Sequence, residues 1–578
     1  MNTQATETIT DYQPAPQVCP AKYARAWILV LAIILGGAAV FPFAQSIYFD
    51  FVWDDLFLIK NNSKLDNPDY LRQIWVSEFF EPIAQPGNSF YWRPLVHFSF
   101  WIDLQLHGRE PTGFHLTNLV LYGILTTLLF LLYQRYLGLT ASVLATLLYA
   151  WHPLRTETVC WVSARTDSMA LLFGMASILL FFRGIARERA RWGWIVLSMF
   201  SLALALVSKE SAVLIPLFAI LLEHRRMRTH LVASICFFLP VVAWYPLRSI
   251  AVDHGRWFQQ LVEPEMVPAA AVKALVHYIT VHFWPVGLST EPWFVFPTSY
   301  SEPLVLAGFG VILVFMGIIA RFRNELSAGI LWFVIALTPY LHILPLPERA
   351  ADRYTAMASI GFAMSIAAAW QRIPQRSLRA FFLAVIVLAI GCCAGISWHL
   401  APSWISDADI EHRAAEHGES PQALFYRAKE AVRNQEYQVA YDHYMLAMER
   451  THQPTAVLVF DLAMTEIQLQ KIEEAVAHLE LLQEIYPQHP IGGMILGELY
   501  MRIGEFQQAL RIMAKQAGVF PDNPVPHLVQ GQIYMDFLNQ PQKALTHFRE
   551  ALRRNPDNRQ RQFIEERIRQ LVQNRPNR

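Results

Sequence analysis

Two adjacent carboxylates, Asp54 and Asp55, follow the first long apolar run of the chain, with Phe51 and Trp53 beside them. Much later Arg353 stands between Asp352 and Tyr354 at the head of another apolar run. A carboxylate can take the proton of an attacking hydroxyl. A guanidinium can grip a phosphate through two parallel hydrogen bonds. Set opposite one another, these groups suit one reaction class: attack by a hydroxyl on a sugar carbon whose leaving group is a lipid phosphate. The arginine would stabilise the charge on the departing phosphate. Glycosidases need two carboxylates because an alkoxide leaves poorly without a proton. A phosphate leaves without that help, so one base suffices, and the anomeric carbon would be inverted.

The elements that must hold these groups are membrane helices. Of the 578 residues, 54% are hydrophobic and only 16% charged, and the mean hydropathy is +0.26. Soluble proteins carry about a quarter charged residues. Runs near 26–47, 114–133, 137–152, 168–183, 192–208, 210–223, 230–247, 303–320, 326–345, 354–371 and 379–398 are apolar enough to cross a bilayer. The run 268–286 is also apolar, but contains Lys273, His277 and His282 and ends at Trp284-Pro285. The first run is too long for the apolar core of a signal peptide, so it reads as an uncleaved helix. The formal net charge is zero, which gives no reason to expect a nucleic-acid surface. The five cysteines, Cys19, Cys160, Cys236, Cys392 and Cys393, show no metal or disulfide spacing.

Arginine clusters orient the helices, because positive loops stay cytoplasmic. They are Arg183, Arg187, Arg189 and Arg191; Arg225, Arg226 and Arg228; Arg321 and Arg323; and Arg372, Arg376 and Arg379. All four lie inside, with the N-terminal tail 1–25, if 268–286 is a re-entrant or interfacial segment. The expectation is then about eleven spans within a membrane domain at 26–400. A first outer loop at 48–113 is acidic where the inner loops are basic, and Tyr70–Phe80 and Tyr91–Leu106 within it have the mixed faces of interfacial helices. The odd count also puts the C-terminal domain outside.

That domain, 415–578, repeats itself. Ala440, Ala475, Ala509 and Ala544 recur at spacings of 35, 34 and 35 residues, and Pro487, Pro521 and Pro556 close three of the units. A small residue where paired helices touch, repeated at this period, predicts a tetratricopeptide (TPR) solenoid of about four repeats. The charged segment near 558–574 suits its end cap.

Taken in order, the short motifs resemble a known family. They are Phe51-Val52-Trp53-Asp54-Asp55 with Asn61; Tyr91-Trp92-Arg93-Pro94-Leu95; Gly113-Phe114-His115-Leu116-Thr117-Asn118; His152-Pro153 with Glu157; Ser163-Ala164-Arg165-Thr166-Asp167; Ser208-Lys209-Glu210; and Ala351-Asp352-Arg353-Tyr354 followed by Ser359-Ile360-Gly361-Phe362. With the TPR tail, the sequence resembles the TMTC-type O-mannosyltransferases and their bacterial TPR-bearing relatives, which are GT-C membrane glycosyltransferases. The resemblance implies an all-α GT-C bundle, a polyprenyl-phosphate-sugar donor, and transfer on the non-cytoplasmic face to a hydroxyl of protein Ser or Thr. It implies Asp54 as base with Asp55 in support, and Arg353 and Tyr354 at the donor phosphate, joined by Arg93 and Lys209. His152, Glu157, Arg165, Asp167, Glu210 and Asp352 match motifs in supporting roles. A loop-holding ion pair between Arg165 and Asp167 is a second reading of that motif, and helix-packing hydrogen bonds a second reading of His115 and Asn118. The stretch Thr355-Ala356-Met357-Ala358 departs from the pattern of some relatives, which bears on the shape of the lipid groove.

Three other readings stand beside this one: a membrane-anchored TPR scaffold, a transporter of lipid-linked sugar, and a transferase acting on an envelope glycan. A scaffold needs neither so many spans nor ionisable residues gathered at one face. A transporter would carry polar residues through the bilayer midplane, where they are scarce here. His97, His107, His152 and His282 have no metal-ligand spacing, so no cofactor is expected; an aspartate pair near a phosphate could hold a divalent ion, but one arginine can take its place electrostatically. The expected setting is a bacterial inner membrane, with the first loop and the TPR domain periplasmic. The TPR domain is expected to bind the protein or glycan acceptor, and the bundle to contact membrane lipid.

Overall fold

The computed structural model describes residues 22–80, 91–187, 191–252, 262–322, 324–344, 346, 348–451 and 454–573. Most of the expected N-terminal tail, with Cys19, Glu81, Arg189 and Arg323, lies outside the described residues. The rest divides into two compact units, at Ile410 and Glu411. Among the described residues every regular element is a helix.

In the first unit, six helices are long and apolar enough to cross a membrane, or seven if the bent pair Ala26–Ala39 and Phe41–Tyr48 counts as one span. That pair bends by 51°, where Pro42 cannot donate to the helix before it. Leu139–Ala150, Arg191–Leu206 and Glu325–Tyr340 are shorter apolar helices at expected span positions. The stretch expected to be re-entrant differs from that reading: Pro264–Phe283 is one of the six long apolar helices. Of the two interfacial helices expected in the first outer loop, Pro94–His107 forms and the other shrinks to Tyr70–Gln73.

Glycines let pairs of these helices meet backbone to backbone, as small residues do in membranes. Gly36 abuts Gly123, where an added Cβ would come within 2.6 Å of the Gly123 carbonyl oxygen. Gly329 and Gly361 join the Glu325–Leu337 and Ala358–Gln371 helices in the same way. At the ends of the helices away from Asp54, Arg135 and Tyr136 both bind Glu223, at 3.0 and 2.9 Å.

The loop expected outside, 48–113, has its own core. Phe51, Leu58, Ile59, Leu65, Tyr70 and Phe79 pack against Val96, Phe100, Phe114 and Met169. Arg109 fastens the loop to this core, donating to the carbonyl oxygens of Ile59, Lys60 and Asn62 and pairing with Asp66 at 2.8 Å.

The second unit is four helix pairs and a cap. The pairs are Pro421–Arg433 with Tyr437–Arg450, Ala456–Gln468 with Ile472–Ile485, Gly492–Arg502 with Phe506–Val519, and Val525–Gln532 with Pro541–Arg553; Asn558–Gln573 ends the stack. Ala440, Ala475, Ala509 and Ala544 are fully buried, as the repeat requires. Within each pair the turn uses one left-handed residue: Gln435, Gln470, Gly504 and Asn539. Three of them are not glycine, so each accepts a backbone cost of about 1 kcal/mol.

Gly361→Val would push its side chain onto the Gly329 carbonyl oxygen and to within 2.8 Å of the Phe333 nitrogen. Overpacking of this kind costs about 1–3 kcal/mol. The melting temperature in detergent should fall, whereas Gly391→Val, which meets nothing within 4 Å, should leave it unchanged. Equal melting of the two variants would show that this contact is not tight.

Candidate active site

The two aspartates of the opening motif have different surroundings. Asp55 is completely buried. One of its carboxylate oxygens accepts from the Ser163 N–H at 2.8 Å and from the Ser163 hydroxyl. The other accepts from the Val52 N–H at 3.3 Å. Burial pushes its carboxyl up to about 7, although the bonds from Ser163 and Val52 pull the other way. Asp55 thus fastens the motif to the loop before the Arg165–Ile185 helix.

Asp54 has no such commitment. Among the described residues its carboxylate takes no hydrogen bond or ion pair. Burial raises it to about 6; Arg353 and Arg93 nearby lower it, and Glu348 raises it. It is a largely buried carboxylate within electrostatic reach of Arg353 and Arg93.

The backbone presenting Asp54 is strained and braced. Trp53 has a left-handed conformation, φ 49°, rare for a bulky residue. Its N–H donates to Asp407 Oδ1 at 2.9 Å, and the Asp50 N–H donates to the Ile405 carbonyl at 3.0 Å. The Trp53 ring packs edge-on against Trp161 and Trp404, with centroids at 5.5 and 5.3 Å.

Arg353 is held by two carboxylates. The buried Glu157 takes both its backbone N–H, at 2.8 Å, and its Nη1. Glu348, with its side chain 47% exposed, takes Nη2. The guanidinium also lies 5.4 Å from the Trp161 ring centroid. Asp352 and Glu291 are close enough to feel Arg353, and burial pushes each up to about 8. Tyr354 stacks on Tyr340 with centroids 4.2 Å apart, so its ring is committed to packing.

The remaining expected site residues fall into separate pairs. Arg93 lies between the Tyr91 ring, 4.2 Å away, and Glu210, which it binds at 2.9 Å. Lys209 pairs with Asp167 at 2.6 Å. The ion pair between Arg165 and Asp167 is not formed. Arg165 is buried against Asp103 at 2.6 Å and donates to Asn118 and to the Phe114 carbonyl. Residues two apart at a helix start point about 200° apart, so they serve different neighbours. Asn118 also donates to the Trp161 carbonyl at 3.1 Å, and His115 lies 3.4 Å from that of Asp50, which are packing roles. His152 accepts from the Leu154 N–H and holds the His282 carbonyl at 3.0 Å. With both ring nitrogens engaged and its pKa lowered to about 4 by burial, it is a neutral structural residue.

Glu348, Ser163, Asp407 and Arg155 complete the site, and sequence reasoning gave none of them a role. Arg155 is wholly buried and donates to Thr355, while its Nε and Nη1 have no hydrogen-bond partner. Among the described residues no three His, Cys, Asp or Glu side chains are grouped to hold a metal ion.

Residues 88–245 match the family described as Dolichyl-phosphate-mannose-protein mannosyltransferase. The chain is similar to TMTC-type protein O-mannosyl-transferases. A Protein O-mannosyl-transferase of Caenorhabditis elegans is 22% identical over 381 residues, 62% of this chain and 54% of that protein. The mouse Protein O-mannosyl-transferase TMTC4 is 31% identical over 34% of this chain and 29% of its own length. Human TMTC3 is 26% identical over 31% of this chain and 20% of its own. The chain thus spans about half or less of the length of these curated relatives. The matched family segment holds Arg93, His152, Glu157, Arg165, Asp167, Lys209 and Glu210; Asp54, Asp55 and Arg353 lie outside it. The chain aligns with YrrB, a TPR protein described as having an unusual peptide-binding site, at 15% identity over 35% of this chain and 98% of that one. At a TM-score of 0.25 that likeness carries no weight beside the helix pairing itself.

Asp407→Ala removes the acceptor for the Trp53 N–H and frees the strained turn next to Asp54. Small misplacements of a reacting group cost up to about 100-fold in rate. Catalytic turnover should fall by about 10- to 100-fold in that variant, with the protein still inserted and monodisperse. Unchanged turnover would remove Asp407 from the site.

Proposed function

We propose that this protein is an inverting GT-C glycosyltransferase that moves a sugar, mannose by its resemblances, from a polyprenyl-phosphate donor to a protein hydroxyl. The observation that carries this reading is the division between the two aspartates. Asp55 is fully committed to Ser163 and Val52, which leaves Asp54 as a single uncommitted base beside Arg353. One base and one phosphate-binding cation are what the reaction needs.

In the proposed step an Asp54 carboxylate oxygen takes the proton of the acceptor hydroxyl as its oxygen bonds to the anomeric carbon. The bond from that carbon to the phosphate oxygen breaks on the opposite face. Its electron pair leaves with the phosphate, and Arg353 stabilises the charge that develops there. No acid is required, and Arg353 supplies the positive charge that a divalent ion would otherwise bring. The carbon is inverted.

Several features support this reading. The site sits where the loop 48–113 meets the ends of apolar helices, which suits a donor carried on a lipid. The site is extracytoplasmic in this proposal, as the basic inner loops suggest. The repeat unit has a groove of about 390 Å³ lined by Lys429, Tyr437, Tyr444 and Asp461, which we assign to the acceptor polypeptide.

Asp54→Asn should lower transfer of radiolabelled mannose from its polyprenyl phosphate to protein by about 100-fold or more, with the protein still folded in nanodiscs. Full activity would sink the assignment of the base. Because Asp54 must be ionised to act, and is raised to about 6, kcat/KM should fall as the pH drops through about 6 and stay level above it. A rate unchanged down to pH 4 would point to another base. Mass spectrometry of extracytoplasmic glycoproteins, wild type against deletion, tests the acceptor; loss of a surface glycan alone would move the reading to an envelope-glycan transferase.

A further inference from the structure

The two carboxylates on Arg353 are not equivalent. Glu157 is 7% exposed in its side chain, and it holds the arginine at two places, the backbone N–H and Nη1. Removing it would leave a buried charge without its partner, which costs several kcal/mol. Glu348 is 47% exposed and holds Nη2 alone. With the Glu348 half of the pair open, this contact is the weaker of the two. Arg353 therefore has one permanent counter-ion and one that is easily displaced.

We infer that Glu348 is a placeholder for the donor phosphate: its carboxylate occupies Arg353 Nη2 in the empty site and is displaced into water when a lipid phosphate binds there. This rests on the reading of Arg353 as the phosphate-binding residue.

Three observations favour the exchange. First, it conserves charge. One anion replaces another on the same nitrogen, so the buried pair with Glu157 is not disturbed and Asp54 keeps an anion nearby. Second, the displaced group has somewhere to go, because half of its side chain already faces solvent. Third, the backbone around Glu348 is anchored independently of Arg353. The next residue, Arg349, stacks on Trp293 and Phe296, with centroids at 4.0 and 4.7 Å. His342 stacks on Phe294 at 5.1 Å. Both contacts stand apart from Arg353, so a swing of the Glu348 side chain leaves them in place. The ligand class is a phosphate monoester or diester on a lipid, with Nη2 as its first contact.

The test is equilibrium binding of undecaprenyl monophosphate, without sugar, to the full-length protein in nanodiscs. Glu348→Gln keeps the shape but loses the charge, and it should bind the probe about 2- to 5-fold more tightly than wild type, since the competing contact is the weaker of the two on Arg353. Glu348→Asp, whose shorter arm falls short of Nη2, should shift binding the same way. Unchanged or weaker binding in both variants overturns the placeholder, and weaker binding would make Glu348 part of the ligand's own site. Arg353→Ala separates this inference from the reading beneath it. If that variant binds the probe as well as wild type, the phosphate role of Arg353 fails; if it loses binding while both Glu348 variants are unchanged, only the placeholder fails. Inorganic phosphate run in parallel reports the headgroup's share: displacement of the lipid probe by phosphate alone is expected, and its absence would overturn the direct exchange.

Discussion

A buried guanidinium at the edge of a bilayer cannot stand alone, and Arg353 is paired with Glu157 before any ligand arrives. The two residues are far apart in sequence, and their contact closes the turn before the Ala358–Gln371 helix onto the segment between Leu139–Ala150 and Arg165–Ile185. The rest of the site is arranged around it. Trp161, which lies against the arginine, is one wall of the tryptophan cluster that holds Trp53. Ser163, two residues further on, binds Asp55. One ion pair thus ties Arg353 to the Asp54-Asp55 motif through a short stretch of chain.

The same constraint explains why so many of the conspicuous charges are paired with one another. Arg165 with Asp103, Lys209 with Asp167 and Arg93 with Glu210 are ion pairs that stitch the helix ends and the outer loop together. Each removes the cost of an unpaired charge in a dry region. They look like catalytic residues in the sequence because a polar residue beside an apolar helix must have a purpose, and bracing is as good a purpose as chemistry. What distinguishes Asp54 is that it braces nothing.

Much of this was legible in the sequence. The repeats were clear because a period of about 34 residues and a buried alanine leave a repeating pattern that burial confirms at Ala440, Ala475, Ala509 and Ala544. The Asp54-Asp55 pair was visible, but not its division of labour, which depends on Ser163 folding back over more than a hundred residues. Arg165 and Asp167 read as partners because they are neighbours in sequence, yet helix geometry sends them to different elements. Asp407 carried no signal, being one acid among many in a polar stretch. The run 268–286 read as re-entrant or interfacial because that keeps the arginine clusters on one side; Pro264–Phe283 is an apolar helix long enough to cross a membrane, and Lys273 within it is paired with Glu302 at 2.8 Å.

The brace beneath Trp53 also bears on the order of events during synthesis. Its acceptor, Asp407, is 354 residues downstream, and two neighbouring ties, Asp50 to Ile405 and Gln45 to Trp398, reach equally far. A chain still emerging from the ribosome carries Asp54 from the start but cannot hold it in place until the final apolar helix of the unit has been threaded and its end has turned back. The held geometry of the motif then arrives last. A copy cut short before Ile405 would carry the motif without its brace.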